Sequence, residues 1–333
     1  MKNRILSIAF VLTLCAGLLA GCGKGVTEAA KQDTAEDKIS IVCTTFPQYD
    51  WVRELIGDET DRFELTLLLD NGVDLHSYQP TAEDIAKIGS SDIFIYVGGE
   101  SDEWVEDALR EATNQELRAV NLLEVLGDAV KEEEVVEGME AEEEEESSEG
   151  GEEGPEYDEH VWLSLKNAKV LVTEISAVME NTVPEKAEQF AKNRDAYIQK
   201  LDGLDKEYEQ IVQGASYQTL LFADRFPFRY MADDYGLDYY AAFVGCSAET
   251  EASFETITFL AQKTEELKLP AIFVIENSDK KIAETVKQST AGKNQNILVL
   301  NSLQSITSTD ISGGVTYLQA MKDNLEVLKQ ALN

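Results

Sequence analysis

The sequence predicts an α/β protein with two lobes, each a mostly parallel sheet flanked by helices, joined by one long rigid helix. Three observations predict this class. Short apolar runs alternate with helical segments in both halves of the chain. Residues 38–333, which follow the N-terminal segments described below, are enough for two domains. A single long helical pattern over 184–213 separates the two halves.

Seven apolar runs have the length and the β-branched or aromatic content of buried strands. They lie at 39–46, 63–69, 93–97, 219–223, 237–243, 271–275 and 297–300. The helices between them are predicted at 81–88, 103–111, 254–267, 280–288 and 314–332. This alternation is typical of parallel sheets that have helices on both faces.

The segment over 184–213 has the pattern of one long helix. Pro184 suits a first helical turn, and Gly214 lies just beyond the end. At about 1.5 Å per residue the helix would be roughly 45 Å long and would connect two lobes rigidly. A coiled-coil dimer helix is the alternative, although the stripe of apolar residues along the helix is short and Gly203 interrupts it. The apolar stripe consists of Phe190, Tyr197, Leu201, Leu204, Tyr208 and Ile211.

The N-terminus has the features of a lipoprotein export signal. Lys2 and Arg4 precede an apolar run that is too short and wrongly flanked for a transmembrane helix. The small residues before Cys22 resemble a bacterial lipobox, so we expect a signal peptide at 1–21 and a lipid on Cys22. Residues 22–37 then form a flexible tether to the outer face of the cell membrane. An ordinary cleaved signal is the alternative.

Negative charge dominates the composition. The formal net charge is −36, which argues against nucleic acid as a partner and favours cations. Much of the charge lies in 132–159, where 16 of 28 residues are acidic. Such a run repels itself and buries no apolar surface, so we expect a disordered loop. It would either gather divalent cations weakly or only solvate the chain.

Cysteines and catalytic motifs exclude several classes of site. Cys43 and Cys246 are far apart in sequence and lack C-x-x-C spacing, so they do not predict a structural zinc site. An exported compartment permits a disulfide between them, and two free thiols are the alternative. The chain has no P-loop, no nucleophile motif and no cofactor fingerprint, so we do not expect an enzyme.

The only two histidines of the chain, His76 and His160, lie in short polar-aromatic motifs. The first motif is Asp-Leu-His-Ser-Tyr-Gln-Pro-Thr over 74–81, and the second is Tyr-Asp-Glu-His-Val-Trp-Leu-Ser over 157–164. Imidazole is the commonest protein ligand of transition metals. The pattern therefore indicates metal ligation.

The order of motifs along the chain resembles one family. A lipobox, Thr-Phe-Pro-Gln-Tyr-Asp over 45–50, the two histidine motifs around an acidic insertion, a long helix and Asp-Tyr-Gly-Leu over 234–237 follow one another. Together they resemble the metal-binding lipoproteins of zinc and manganese ABC importers, the cluster A-I solute-binding family. The resemblance implies an N-terminal lobe over 38–183, a linking helix over 184–213 and a C-terminal lobe over 214–333, with one metal in the cleft between the lobes.

The resemblance also implies which residues hold the metal. His76 and His160 match the family's two histidine motifs. In the second lobe the family offers a third histidine or a glutamate, and an ungapped count puts Arg225 there, which cannot bind a metal. One inserted residue places Asp224 in that position instead. Glu276 and Asn301, each at the end of a predicted strand, are further oxygen ligands that we expect.

The implied function is capture of a divalent transition metal and its delivery to an ABC permease with its ATPase. We expect zinc, with manganese as the alternative because the second lobe offers oxygen ligands. We also expect a monomer. An exported metallohydrolase is a rival, because zinc can activate water, but the sequence lacks an H-E-x-x-H motif. A metal-stabilised adhesin is a second rival.

Overall fold

Two parallel four-stranded sheets form the framework of the computed structural model, which describes residues 38–140, 156–247, 249 and 251–333. The first sheet contains β1 (Ile39–Cys43), β2 (Phe63–Leu67), β3 (Ile93–Tyr96) and β4 (Arg118–Asn121) in the order β2-β1-β3-β4. The second contains β5 (Thr219–Arg225), β6 (Asp238–Phe243), β7 (Ala271–Ile275) and β8 (Asn296–Leu300) in the order β6-β5-β7-β8. The two sheets therefore share one topology.

Helices connect the strands and cover the sheets. They are α1 (Phe46–Ile56), α2 (Ala82–Ser90), α3 (Trp104–Arg110), α4 (Leu122–Leu126), α5 (Leu165–Thr182), α6 (Ala187–Gln213), α7 (Arg229–Tyr235), α8 (Phe254–Glu266), α9 (Lys281–Ser289), α10 (Ser308–Ser312) and α11 (Tyr317–Leu332). Because every strand pairs in parallel, the loops that follow the strands gather at one edge of each sheet. The predicted fold class is confirmed.

The long helix α6 packs against elements from both halves of the chain. Its neighbours are α5, α1 and the C-terminal helix α11. Leu201 and Tyr208 on its apolar stripe are fully buried, and the Tyr208 hydroxyl donates to the Met321 carbonyl oxygen at 2.6 Å. One continuous apolar core reaches from Val42 in the first sheet to Phe222 in the second. The helix is therefore part of the core of both lobes.

The sequence misses several elements and misplaces one. Strand β4, with the sequence Arg-Ala-Val-Asn, is short, polar and at the edge of its sheet, so it does not form an apolar run in the sequence. The predicted strand at 39–46 ends at Cys43, because a capping box at Thr45 starts α1 there. Helices α1, α4, α5, α7 and α10 are not among those that the sequence predicts.

The two ends of the acidic segment are ordered, although the sequence predicts disorder over 132–159. Residues Glu132 and Tyr157 form an antiparallel bridge, and Glu140 bridges to Phe243 in the second sheet. The Arg229 guanidinium pairs with Glu134. Backbone bridges at Glu132 and Glu140 and the Glu134 carboxylate thus hold these two ends in place. The middle of the segment, 141–155, lies outside the described residues.

The N-terminal predictions are not addressed by the fold. The signal peptide, Cys22 and the tether all precede Lys38 and lie outside the described residues. Among the helices that are described, none is both long and apolar enough to cross a membrane.

Candidate metal centre

Both histidines are held in short turns that an aspartate organises. His76 lies in a 3-10 turn after β2, where the Asp74 carboxylate accepts from the His76 backbone N–H at 3.1 Å. His160 precedes a second 3-10 turn, and the Asp158 carboxylate accepts from its backbone N–H at 2.8 Å. In both motifs the aspartate stands two residues before the histidine, a spacing that favours such a turn. The same local chemistry therefore positions both rings.

The structure brings the two imidazoles together. The Nε2 atoms of His76 and His160 are 3.2 Å apart, and the ring centroids are 5.1 Å apart. The side chain of His160 is fully buried and that of His76 is 7% exposed. Trp162 lies edge-on to the His160 ring, with the centroids 5.4 Å apart. The two ε nitrogens thus face each other in a nearly buried position.

Each ring is oriented through its other nitrogen. The Nδ1 atom of His160 lies 3.0 Å from Asp158 Oδ1. The Nδ1 atom of His76 lies 2.9 Å from the Ser101 hydroxyl and 3.6 Å from Glu159 Oε2. Glu159 is itself held by the Ser101 backbone N–H, which donates to its Oε1 at 2.9 Å. This arrangement turns the Nε2 atom of each ring toward the other ring.

Burial and one ion pair shift the pKa values of the groups around the two histidines. Burial, together with His160, lowers the pKa of His76 to about 3, so its ring is neutral at pH 7 and can bind a metal. Burial raises the pKa of Glu159 to about 7, although the Ser101 bonds oppose that shift. Burial also acts on Asp74, but the Arg225 guanidinium holds the pKa of that carboxyl below its usual value.

A third side chain joins the histidines, and the sequence does not predict it. Within the described residues, His76, His160 and Cys246 form a group whose ligand atoms all lie within 4.8 Å of one another. Cys246 follows β6, so it belongs to the second lobe. Burial raises the pKa of its thiol well above the usual value, and the Asp158 and Glu133 carboxylates add to that effect. Cys43 and Cys246 are both free thiols, so the disulfide considered from sequence does not form.

The oxygen ligands predicted for the second lobe lie apart from this group and bond elsewhere. The Asp224 carboxylate accepts from the backbone N–H groups of Arg225 at 3.0 Å and Ile275 at 3.4 Å. The Glu276 carboxylate accepts from the Ser302 backbone N–H and hydroxyl, each at 2.6 Å. Asp224 and Glu276 line a cavity of about 830 Å³ whose lining includes neither histidine.

Asn301 is committed to a turn. Its Oδ1 atom accepts from the Leu303 backbone N–H at 2.7 Å, and its own N–H donates to Asn324 at 2.8 Å. The metal-binding roles of Asp224, Glu276 and Asn301 therefore stay predictions. In this conformation each of the three side chains accepts hydrogen bonds from groups of the second lobe.

Two further residues contact the histidine turns. Arg225, which the ungapped count puts in the ligand position, forms an ion pair with Asp74. Gln304 is buried after β8, and its amide lies 2.9 Å from His160 Nε2. The orientation that satisfies both groups has the amide oxygen accept from His160 and the nitrogen donate to Asp74 at 3.1 Å. Gln304 and Cys246 each follow a strand of the second sheet. That position is the one feature of the sequence that could have identified them as neighbours of the histidines.

Comparison with known proteins places this geometry in a family. The model for ZnuA, the periplasmic component A of the zinc-uptake complex, matches residues 41–331. The high-affinity zinc uptake system protein ZnuA of Bacillus subtilis is 32% identical, and the alignment covers 97% of this chain and 96% of that protein. The zinc-binding lipoprotein AdcA of Streptococcus pneumoniae is also 32% identical over 96% of this chain, but the match spans only 59% of AdcA.

Solved structures agree with the sequence comparison. The Zn(II)-bound ZnuA-like domain of Streptococcus pneumoniae AdcA superposes with a TM-score of 0.68 at 31% identity, over 89% of this chain and 99% of that domain. The metal-dependent lipoprotein YcdH of Bacillus subtilis gives a TM-score of 0.71 at 27% identity, over 89% of this chain and 99% of the other. With its two parallel sheets, its long helix and its paired histidine turns, the chain belongs to the ZnuA family of zinc-uptake components.

Proposed function

We propose that this protein captures zinc outside the cytoplasm and delivers it to an ABC permease whose ATPase supplies the energy. We further propose that a lipid on Cys22 anchors it to the outer face of the cell membrane and that it acts as a monomer. The named functions of the ZnuA and AdcA relatives support zinc as the cargo. The proposal assigns no catalytic step to the chain.

The distance between the two ε nitrogens carries the proposal. Two nitrogens that each lie about 2.0–2.1 Å from one tetrahedral zinc ion stand about 3.3 Å from each other. The observed separation of 3.2 Å is close to that value. Without an ion, the same separation allows one ring to donate a hydrogen bond to the other. A zinc ion would replace that bond without large movement of either ring.

The remaining ligands distinguish zinc from the manganese alternative. A site completed by Asp224, Glu276 or Asn301 would add oxygen to the two imidazole nitrogens and would tolerate manganese. These side chains now accept hydrogen bonds from backbone groups of the second lobe. The two ε nitrogens already lie 3.2 Å apart, so the imidazoles form the part of the site that is closest to assembled, and a bound ion would displace the Gln304 amide from His160.

Metal titration of the purified full-length protein in detergent tests the proposal. We expect one zinc ion per chain, bound more tightly than manganese, and we expect that His76→Ala with His160→Ala abolishes high-affinity binding. An Asp310→Ala variant, which removes a carboxylate from an exposed turn of α10, is the control and should bind zinc normally. Full zinc affinity in a correctly folded double-histidine variant would refute this site.

Turnover and uptake measurements separate the rival functions. Metal-dependent hydrolysis of ester or peptide substrates by the zinc-loaded protein would favour the exported hydrolase. Zinc uptake that is unchanged in cells lacking the protein would favour the metal-stabilised adhesin. We expect neither result.

A further inference from the structure

Among the described His, Cys, Asp and Glu residues, Cys246 is the one from the second lobe that lies in a ligand group with the two histidines. Its Sγ atom and one nitrogen of each ring all lie within 4.8 Å of one another. Cys43, the other cysteine within the described residues, is buried in β1 and does not belong to this group. Cys246 thus lies beside the only two imidazoles in the sequence.

The turn that carries Cys246 is fixed from two sides. The Cys246 backbone N–H donates to Glu133 Oε1 at 2.9 Å. On the other side, Arg225 Nη1 donates to the Ser247 carbonyl oxygen at 3.2 Å, while its Nη2 atom pairs with Asp74. One guanidinium therefore ties the Cys246 turn of the second lobe to the His76 turn of the first.

Gly245 lets the turn approach His160 closely. A Cβ atom at this position would lie 3.3 Å from His160 Nδ1 and 3.0 Å from the Phe226 carbonyl oxygen. Both distances are shorter than ordinary packing contacts, so a side chain here would push the turn and His160 apart. The absence of a side chain at residue 245 brings the next residue to the histidine pair.

The surroundings of the group favour a cation. Glu159 Oε2 is buried beside His76 Nδ1, at 3.6 Å, and has no hydrogen-bond partner among the described residues. The Asp158 and Glu133 carboxylates also lie on the Cys246 side of the group. A buried carboxylate oxygen without a partner is costly, and a divalent ion at the neighbouring ring would reduce that cost.

We propose that Cys246 binds the metal as a thiolate, as the third protein ligand beside His76 and His160. As the S–Zn bond forms, the thiol releases its proton to solvent. This inference rests on the proposed function, and it explains how the second lobe reaches the ion although Arg225 cannot serve as a ligand. Because thiolate is a soft ligand, a His₂Cys set selects zinc over manganese, which prefers oxygen.

Cobalt(II) substitution of the purified full-length protein tests the ligand directly. A thiolate–cobalt(II) bond produces an intense charge-transfer absorption in the near ultraviolet, and the weaker visible bands report bound cobalt independently. We expect the charge-transfer band in the wild type and in Cys43→Ala, the matched cysteine control. We expect Cys246→Ser to lose it while the visible bands persist.

Zinc and manganese affinities give the second readout. Loss of a residue that only orients a metal ligand weakens metal binding about 10- to 100-fold. Loss of the thiolate ligand itself should weaken zinc binding by at least that factor. Manganese affinity should change less, so the ratio of zinc affinity to manganese affinity should fall in the variant. Circular dichroism of Cys246→Ser establishes that the variant is folded.

The outcomes separate this inference from the proposed function. Bound cobalt without a charge-transfer band in the wild type, or Cys246→Ser that keeps the band, would overturn the thiolate ligand and leave zinc capture standing. A wild-type protein that binds neither cobalt nor zinc would overturn the proposed function and this inference with it.

Discussion

A histidine that binds a metal with one nitrogen is oriented through the other, so the strength of the proposed zinc site depends on residues that do not touch the ion. Asp158 does this for His160, because one carboxylate oxygen bonds both the backbone N–H and the ring. Ser101 and Glu159 do it for His76. These contacts fix which ring nitrogen faces the ion.

Replacing Asp158 with alanine should weaken zinc binding about 10- to 100-fold, because the His160 ring loses the acceptor that orients it. Competition with a chromogenic zinc indicator measures the change. The Asp158 carbonyl oxygen, which accepts from the Tyr230 hydroxyl at 2.8 Å, is retained, so the fold should survive. The control is Asp310→Ala, which removes an exposed carboxylate from α10. An unchanged affinity in Asp158→Ala would show that His160 does not need this anchor.

At the same scale, the sequence predicts the part of the site that is built locally. The repeated spacing of aspartate and histidine lies within each short motif, and the scarcity of histidine makes the pair conspicuous. Cys246 and Gln304 carry no such pattern, because only the packing of two lobes brings them to His160. Asp224 and Glu276 stand at strand ends as predicted, yet their hydrogen bonds hold backbone groups of the second lobe.

Among the elements, α1 and α11 are connected by a buried carboxylate. Asp50 of α1 is fully buried, and it accepts from the Tyr317 backbone N–H at the start of α11 at 2.7 Å. Arg53 lies 3.3 Å from its other oxygen. Burial raises the pKa of Asp50 from 3.8 to about 6, although the Tyr317 bond and Arg53 oppose the shift. Between pH 3.8 and about 6, the folded state therefore keeps a proton on Asp50 that the unfolded chain has released.

This pKa shift predicts how an Asp50→Asn variant responds to pH. Between pH 3.8 and about 6 the folded protein binds more protons at this residue, so its contribution to stability falls as pH rises. A rise in the Asp50 pKa from 3.8 to about 6 corresponds to roughly 3 kcal/mol. An asparagine side chain does not titrate, so the variant lacks this contribution. The free energy of unfolding of the variant, relative to the wild type, should therefore rise by up to that amount from pH 4 to pH 7. Urea titrations at several pH values measure it.

Asp310 provides a control of opposite sign. Its bonds to Thr307 lower the pKa of this exposed carboxyl below 3.8. A group with a lowered pKa stabilises the fold above that pH and loses its effect in acid. Asp310→Asn should therefore become less stable relative to the wild type as pH rises. Parallel pH curves for Asp50→Asn and Asp310→Asn would contradict the assignment.

Among the strands that the sequence predicts, the one with the most complete burial is also the one whose bounds are predicted best. Strand β7 is buried at every residue, and the predicted range of 271–275 matches its bounds. The edge strand β4 and the helix α1 depend on a neighbouring strand and on a capping box, and neither changes the apolar pattern. The ends of the acidic segment are ordered because they find partners such as Arg229 in the second lobe, which charge counting cannot foresee.

In the whole molecule, the two sheets share more than the connecting helix. The Trp162 indole donates to the Ser302 carbonyl oxygen at 2.8 Å, and the Tyr317 hydroxyl donates to the Trp162 carbonyl oxygen at 2.6 Å. At another point the Ser308 backbone N–H donates to the Asp70 carbonyl oxygen at 2.8 Å. These bonds join the two halves of the chain, and the continuous apolar core joins them as well.

Such coupling predicts that the two lobes unfold together, and the distribution of tryptophan makes this measurable. All three tryptophans, Trp51, Trp104 and Trp162, lie in the first half of the chain, so their fluorescence reports on that half while far-ultraviolet circular dichroism reports on both. Leu260→Ala empties a fully buried position on α8, in the second core cluster of the other half. It should lower the free energy of unfolding by about 2–5 kcal/mol. Both probes should show the same loss, because one cooperative transition moves as a unit.

The control for this experiment lies on the same helix. Gln262 is exposed on α8, and Gln262→Ala should change stability by less than about 0.5 kcal/mol. If Leu260→Ala shifted the circular dichroism transition but left the tryptophan transition in place, the lobes would unfold independently. The shared core and the bonds through Trp162 would then contribute too little to couple them. Coincident shifts would instead mean that a ligand bound between the lobes stabilises both, so zinc should raise the two midpoints equally.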